Sequence, residues 1–278
     1  MKEATRQPKT VVDLALARRL EAADASANVD YVAAHAHLRP DVRAVWTEVA
    51  GGCLSYAGAD SPLTQAVGLG LAGVFDARAC DELEEFFGSR GAEANVHICP
   101  LADASVCQML AARGYRLGEF IDKLFLPLDP SESFEAQASE ILIRTTTPAE
   151  SELWTETVGR GFYEGEEPPN IFRELFRTLP EMLTTVCFLA EIDGRAVGAG
   201  LLKLDAGTAV LSTTSVLPAW RGRGVQTALL QARLAYAAAQ GCDLATVAAR
   251  PASISHRNVQ SVGFRVAYTR LRLFRPLT

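Results

Sequence analysis

One stretch of this sequence occurs twice, 149 residues apart. Residues 106–128 (VCQMLAARGYRLGEFIDKLFLPL) align without a gap with residues 255–277 (SHRNVQSVGFRVAYTRLRLFRPL), and six of the 23 positions are identical. Each copy has the pattern of a short helix that ends at a glycine, Gly114 or Gly263, and of an extended strand that follows it. The repeat predicts a duplicated domain, so the chain is expected to fold as two similar halves.

The best candidate for a linker lies between the two copies. Residues 129–140 carry three serines, one proline and four acidic residues, without a sustained hydrophobic period. We therefore expect a first domain at residues 1–128 and a second domain at residues 141–278, joined by this linker.

The composition excludes several classes of protein. Hydrophobic residues make up 49% of the chain and charged residues 22%, which provides for a sizeable core and excludes wholesale disorder. The first 140 residues carry 12 Lys or Arg against 21 Asp or Glu, which argues against a nucleic-acid partner. No apolar run reaches the about 20 residues that a membrane helix needs, so no membrane partner is expected.

The cysteines and the N-terminal residues indicate a cytoplasmic protein. The six cysteines include no CxxC pair, and the sequence MKEATRQPKT lacks the apolar core of a secretory signal. The cysteines are therefore expected to be reduced thiols. The pair His35-x-His37 has no further Cys or His at ligand spacing, so no metal site is expected.

Hydrophobic periodicity and turn residues predict the order β-α-α-β-β-β-α-β-α-β in the second half. The helices are expected at 148–161, 170–179, 226–240 and 253–262, and the strands at 141–144, 186–192, 196–204, 208–216, 243–248 and 264–274. In the first half we expect helices at 11–25, 29–38 and 76–88, a hairpin at 42–49 and 53–57, and strands at 65–71 and 96–99.

The most informative segment is a glycine-rich loop, Arg221-Gly222-Arg223-Gly224, between the predicted strand 208–216 and the long helix. Glycines let the backbone approach a ligand closely. The first turn of the helix leaves N–H groups unpaired and adds partial positive charge, so the loop has the features of a phosphate site. It lacks the Gly-Lys-Ser/Thr of a Walker loop and the third glycine of the dinucleotide fingerprint.

The segment V-x-P-x-x-R-G-R-G-V-Q-T-A-L-L, with the order of elements around it, resembles the GNAT superfamily of N-acetyltransferases over about residues 141–277. The family motif Arg/Gln-x-x-Gly-x-Gly/Ala is met by Arg221 and Gly224, while Gln226 departs from it. In the first half the same place reads Ala72-Gly73-Val74-Phe75, without the arginine and the second glycine. The resemblance implies an α/β (α+β mixed) fold of two tandem GNAT-like domains, each a mostly antiparallel twisted sheet flanked by helices. The first domain is then a degenerate copy that binds no cofactor.

The resemblance also implies acetyl-CoA as cosubstrate. In the family, a bulged strand before the loop splays from its neighbour, and its free amides bind the pantetheine arm, while the loop and helix start hold the pyrophosphate. The residues that would bind the cofactor here are Ser215, Val216, Leu217, Arg221, Gly222, Arg223, Gly224, Val225, Gln226, Thr227 and Asn258.

The resemblance leaves alternatives for the catalytic groups. Many family members place a tyrosine four residues before the Gly-Phe pair as the acid that protonates the leaving thiolate, and Val259 stands there in this chain. Ser255 and His256, expected on one helix face, are the substitutes, and the Val216 amide would polarise the thioester carbonyl. Glu164, in the loop that covers the acceptor site in the family, is the alternative for proton transfer.

The leading hypothesis is an acetyl-CoA-dependent N-acetyltransferase that moves an acetyl group to a primary amine by direct attack on the thioester. The acceptor would be a small molecule or a peptide, and the protein a monomer or a homodimer. The alternative is a CoA-binding regulatory or sensor protein without transfer activity, which the missing tyrosine favours.

Overall fold

The computed structural model describes residues 11–129 and 140–276, so the predicted linker lies outside the described residues except for its two ends. Within these ranges the α-helices are α1 Leu14–Leu38, α2 Ala77–Gly88, α3 Ser105–Ala112, α4 Ser151–Phe162, α5 Asn170–Thr178, α6 Val225–Ala239 and α7 Ile254–Ser261. The strands are β1 Val45–Val49, β2 Gly52–Tyr56, β3 Gln65–Val67, β4 Ala94–Ile98, β5 Arg116–Pro127, β6 Leu142–Thr145, β7 Thr185–Ile192, β8 Arg195–Asp205, β9 Thr208–Val216, β10 Leu244–Ala249 and β11 Arg265–Arg275. Among the described helices, none is long and apolar enough to cross a membrane.

The first helix differs from the sequence prediction. Two helices were expected at 11–25 and 29–38, but α1 is one helix. Ser26 and Asn28 are weak helix formers, and here their side chains bond outside the helix instead of competing for its backbone. The Ser26 hydroxyl donates to Asp205 at 2.7 Å, and the Asn28 side-chain oxygen accepts from Gln65 at 3.2 Å. Tertiary contacts therefore hold the helix through its weak middle.

The predicted mixed α/β fold is confirmed, with one addition: the two expected sheets are joined. All eleven described strands form a single sheet in the order β1-β2-β3-β4-β11-β5-β10-β9-β8-β7-β6. Only the β3–β4 and β9–β10 pairs are parallel, so the sheet is mostly antiparallel. The last strand of each half pairs with the penultimate strand of the other, β11 with β4 and β5 with β10.

The register of the central pair agrees with the sequence repeat. β5 and β11 run antiparallel, and Ile121 pairs with Arg270, the residue 149 positions further on. On either side of this pair, Asp122 faces Thr269 and Phe120 faces Leu271. Each of these pairings is the other's counterpart under the same offset. A local twofold axis therefore passes between Ile121 and Arg270 and relates the two halves of the sheet.

Helix α1 connects the two halves through buried ion pairs. Asp24 lies 2.7 Å from Lys123 on β5 and 2.6 Å from Arg270 on β11, and Arg270 also donates to Glu21 at 2.7 Å. Burial alone would raise the pKa of Asp24, but the positive charges of Lys123 and Arg270 outweigh it and lower the pKa to about 2. The carboxylate is therefore charged at neutral pH. It holds α1 against the central strands of both halves.

Candidate functional site

A cleft opens where β9 and β10 separate. These parallel strands pair only from Thr208 to Val210 on β9. Beyond that point β9 has a bulge opposite β8, between Ser212 and Ser215, and Thr213 adopts a φ of +46°. A bulge bends a strand and leaves backbone groups without a ladder partner, so β9 turns away from β10. The cleft has a volume of about 620 Å³.

Most of the residues predicted from the sequence line this cleft. These are Glu164, Ser215, Val216, Arg221, Gly222, Gly224, Val225, Gln226, Thr227, Ser255 and Asn258. The loop, the end of β9 and the start of α7 are distant in sequence, and the fold brings them together. Leu217, Arg223 and His256 are predicted residues that do not line it.

The glycine loop has the geometry of an anion site. Gly222 and Gly224 adopt φ angles of +75° and +83°, and a Cβ atom built on either would meet no atom within 4 Å. Glycine is therefore required by the backbone, and the space beside it is open to a ligand. Gly224 is the N-cap of α6 and provides no side-chain oxygen, so the first-turn amides receive no cap from it. These features suit the diphosphate of a coenzyme.

Arg221 ties the two walls of the cleft together. Its guanidinium donates to the carbonyl of Gly161 at the end of α4 at 2.8 Å and to that of Val216 at 3.2 Å. It also donates to both oxygens of the Glu164 carboxylate, at 2.8 and 3.0 Å. Glu164 is thus paired with the loop arginine at the cleft.

At the end of β9, the backbone can form hydrogen bonds with a ligand on only one side of the strand. The amide of Leu217 donates to the carbonyl of Val197 on the β8 side, at 2.9 Å. The Leu217 amide is therefore already paired within the sheet, while the prediction that the Leu217 backbone contacts the coenzyme stays a prediction. Successive amides along a strand point to opposite sides, so the amide of Val216 faces the gap toward β10. Helix α4 comes close to this point, since a Cβ atom on Gly161 would lie 3.2 Å from the Val216 nitrogen.

The side chains of the predicted residues on helix α7 point in two directions. Ser255 and Asn258 line the cleft, and the Asn258 amide donates to Gln226 of α6 at 2.8 Å. The expectation that Ser255 and His256 share a face is wrong, because consecutive helical residues point about 100° apart. The His256 side chain is buried against Asp122, with 3.0 Å between Nε2 and Oδ2. Val259 is 2% exposed in the core behind the helix.

Several cleft residues were not predicted from the sequence. These are Gly161, Phe162, Thr214, Trp220 and Ile254. Gly161 is the last residue of a predicted helix, where a glycine indicates a helix end and not a contact, so nothing in the sequence indicated its place in the cleft. The guanidinium of Arg223, which was predicted to bind the cofactor, lies over the ring of Trp220, 4.9 Å from the centroid. Among the described residues, no group of three His, Cys, Asp or Glu side chains is placed to hold a metal ion.

The first half does not form the same opening. Val67 on β3 corresponds to Val216 under the 149-residue offset, but it still pairs with His97 on β4, at the second of the two paired positions between these strands. Helix α1 covers the end of β3, where the Arg18 guanidinium donates twice to the carbonyl of Leu71, at 2.8 and 2.9 Å. Within the described part of the chain, the separated strands and the glycine loop occur together in the second half.

Solved structures share the fold of this chain. A GCN5-related N-acetyltransferase from Sphaerobacter thermophilus is 22% identical, with a TM-score of 0.56 over 76% of this chain and 71% of that chain. A GCN5-related N-acetyltransferase from Kribbella flavida is 17% identical, with a TM-score of 0.60 over 90% of this chain and 96% of that one. A tandem GNAT protein from the clavulanic acid biosynthesis pathway is 16% identical, with a TM-score of 0.58 over 82% of this chain and 79% of that chain. At such identities the likeness shows the fold alone.

The sequence itself matches one family model. No curated protein matches the chain. The model of the acetyltransferase (GNAT) family matches residues 149–264, a span that contains α4, the bulged β9, the glycine loop and α7. The second half of the chain, at residues 149–264, is therefore a domain of the acetyltransferase (GNAT) family.

Proposed function

We propose that the protein is an acetyl-CoA-dependent N-acetyltransferase acting on a primary amine of a small molecule or a peptide. The observation that carries the proposal is the cleft between β9 and β10, which leads to the Gly222 and Gly224 loop at the start of α6. A gap in a sheet that ends on an uncapped helix N-terminus suits a long ligand with a diphosphate at one end.

Different residues around the cleft would bind different parts of the coenzyme. The pantetheine arm would lie along Ser215 and Val216, because this end of β9 has no partner on β10. The amides of residues 222–227 would hold the diphosphate. The Arg221 side chain is 44% exposed, and its guanidinium would turn from Glu164 toward a phosphate. Asn258 would act through Gln226, to which it is hydrogen-bonded.

Bound acetyl-CoA supplies an acetyl group activated as a thioester. The Val216 amide would stabilise the negative charge that develops on the carbonyl oxygen, and one such donor typically contributes about 10²–10³ in rate. The Ser255 hydroxyl, which lines the cleft, would give a proton to the sulfur. Glu164 would take the proton that the amine loses once Arg221 has turned away. In the net reaction a C–N bond forms and a C–S bond breaks, and the proton that Glu164 takes from nitrogen returns through solvent to Ser255, which has given its own proton to sulfur.

The test begins with binding. Calorimetry should give one acetyl-CoA site per chain, and Gly224→Val should weaken binding more than tenfold because its side chain would fill the open space beside the loop. The matched control is Gly73→Val in the corresponding loop of the first half, where a Cβ atom would also meet no atom within 4 Å. It should leave the affinity unchanged. Two sites per chain, or equal losses in both variants, would contradict the assignment.

The second step measures turnover. Thiol release from acetyl-CoA is followed against a panel of primary amines, with mass spectrometry of the products. Transfer of an acetyl group to any amine supports the enzyme. The buried Val259 favours a second candidate, a CoA-binding regulatory protein without transfer activity. Tight binding together with no thiol release across the whole panel would favour that reading.

A further inference from the structure

Helix α7 lies between β10 and β11 along the chain and borders the cleft. It is eight residues long, and isolated helices of this length are unstable, so tertiary contacts must hold it. Its cleft face bears Ser255 and Asn258. Any shift of the helix would move both residues and would alter the Asn258 hydrogen bond to Gln226 at the start of α6.

The opposite face of α7 makes a buried polar contact with β5, which is within hydrogen-bond distance but is not aligned as a hydrogen bond. The His256 side chain is 10% exposed and that of Asp122 is 9% exposed, and their Nε2 and Oδ2 atoms lie 3.0 Å apart. The other carboxylate oxygen of Asp122 accepts a hydrogen bond from the Thr269 hydroxyl at 2.6 Å. A buried carboxylate that loses one of its partners is costly, so this contact resists movement of His256 away from the sheet.

Asp122 belongs to the first half of the chain. It lies on β5, where its backbone pairs with Ala249 of β10 on one side and with Thr269 of β11 on the other. The exchange of the terminal strands therefore brings a first-half carboxylate beneath a helix of the second half. The carboxylate is held on a central strand of the sheet, which makes it a rigid support.

The pair has no counterpart under the twofold relation. The residues 149 positions from His256 and Asp122 are Cys107 and Leu271. Cys107 is exposed on α3, and Leu271 packs against the apolar core of the first half. The His–Asp contact thus occurs on the side that has the open cleft, and its equivalent on the closed side is a thiol and a leucine.

We infer that Asp122 is a positioning residue for the cleft: through His256 it holds α7, so that the degenerate first half completes the site of the second. The inference rests on the proposed function only in taking acetyl-CoA as the ligand of the cleft. It explains how a first half with a closed strand pair is coupled to the binding of a ligand in the second half.

The experiment compares His256→Gln, Asp122→Asn and the double variant with the wild-type full chain. Hydrogen exchange of the amides of α7 is measured without ligand, relative to the amides of α2, and acetyl-CoA affinity is measured by calorimetry. We expect each single variant to speed exchange in residues 254–261 at least tenfold and to weaken acetyl-CoA binding at least fivefold. Both substitutions break the same contact. The double variant should therefore stay within about twofold of the more strongly affected single variant, in both exchange rate and affinity.

The control is Asp24→Asn, which breaks the buried pairs with Lys123 on the same strand β5 and with Arg270 on β11, neither of which is on α7. It should lower the melting temperature and leave relative exchange in α7 within twofold of wild type. Unchanged exchange in both single variants, or an equal increase in the control, would overturn the inference. If the wild-type chain binds no acetyl-CoA, the proposed function fails, and the exchange data still decide whether Asp122 holds α7.

Discussion

Replacing Gly161 with alanine adds a methyl group at the tightest contact between α4 and β9. The new Cβ atom would lie 2.3 Å from the Ser215 hydroxyl oxygen, 2.6 Å from the Ser215 Cβ and 3.2 Å from the Val216 nitrogen. Rotation of Ser215 can relieve the first contact but not the second, because the Cβ position is fixed by the backbone. The helix or the strand must therefore move.

The expected loss of stability follows from two opposing effects. Overpacking of this kind costs about 1–3 kcal/mol. Alanine is more favourable than glycine inside a helix by about 0.5–1 kcal/mol. We expect Gly161→Ala to lower the free energy of unfolding by about 1–2 kcal/mol in urea denaturation. Acetyl-CoA binding should weaken as well, since the shift occurs beside the Val216 amide.

Two further variants make the test specific. Gly88→Ala, at the end of α2, adds a methyl group that would meet no atom within 4 Å, and it should be neutral or stabilising. Ser215→Gly removes both side-chain atoms that clash, so the Gly161→Ala substitution should cost less in that background, with a coupling of about 0.5–3 kcal/mol. A Gly161→Ala protein as stable as wild type would refute the described packing of α4 on β9.

Three other predictions concern pH, the loop arginine and the shared sheet. Burial, with the charges of Arg270 and Arg272, lowers the pKa of His97 in the folded chain to about 3. As the pH falls, the unfolded chain therefore binds a proton at this histidine before the folded chain does. The free energy of unfolding should therefore fall as the pH drops from about 6.5 toward 3, and Asp24 should add to the loss below about pH 4. The variant His97→Gln should flatten the curve of unfolding free energy between pH 6.5 and 4.5. Glu164→Gln frees Arg221 from an exposed pair of about 0.2–1 kcal/mol, so acetyl-CoA affinity should rise about 1.4- to 5-fold in calorimetry, while an unchanged or weaker affinity would contradict that pairing. The fragment 141–278 lacks β5, the partner of both β10 and β11, so it should aggregate or melt well below the full chain by calorimetric scanning; melting at the wild-type temperature would show that the shared sheet contributes little.

The features predicted best from the sequence are those that depend on a few neighbouring residues. The strands and helices of the second half were predicted to within a few residues because turn glycines and periodicity are local signals. The loop was predictable for the same reason, since Gly222 and Gly224 are needed by the backbone itself. The repeat at offset 149 indicated two halves, and the pairing of Ile121 with Arg270 has the symmetry expected of them.

The errors arose where a distant part of the chain decides the outcome. Periodicity shows which residues form β5 and β11 but not which strands they join, so the single sheet was not foreseen. The direction of His256 depends on Asp122, which lies 134 positions earlier. The pairing of Arg221 with Glu164 likewise depends on how the end of α4 meets the loop. Side-chain roles in the cleft were therefore less predictable than its backbone.

The exchanged strands have a consequence for how the protein is made. β11 ends at Arg275, and it must insert between β4 and β5 before the first half has its full set of neighbours. During synthesis the edges of β4 and β5 therefore stay unpaired until β11 has emerged from the ribosome. Such open edges favour pairing with other chains, and contacts so far apart in sequence form slowly. Nascent chains stalled after residue 264 should for this reason depend on chaperones more than the released protein does.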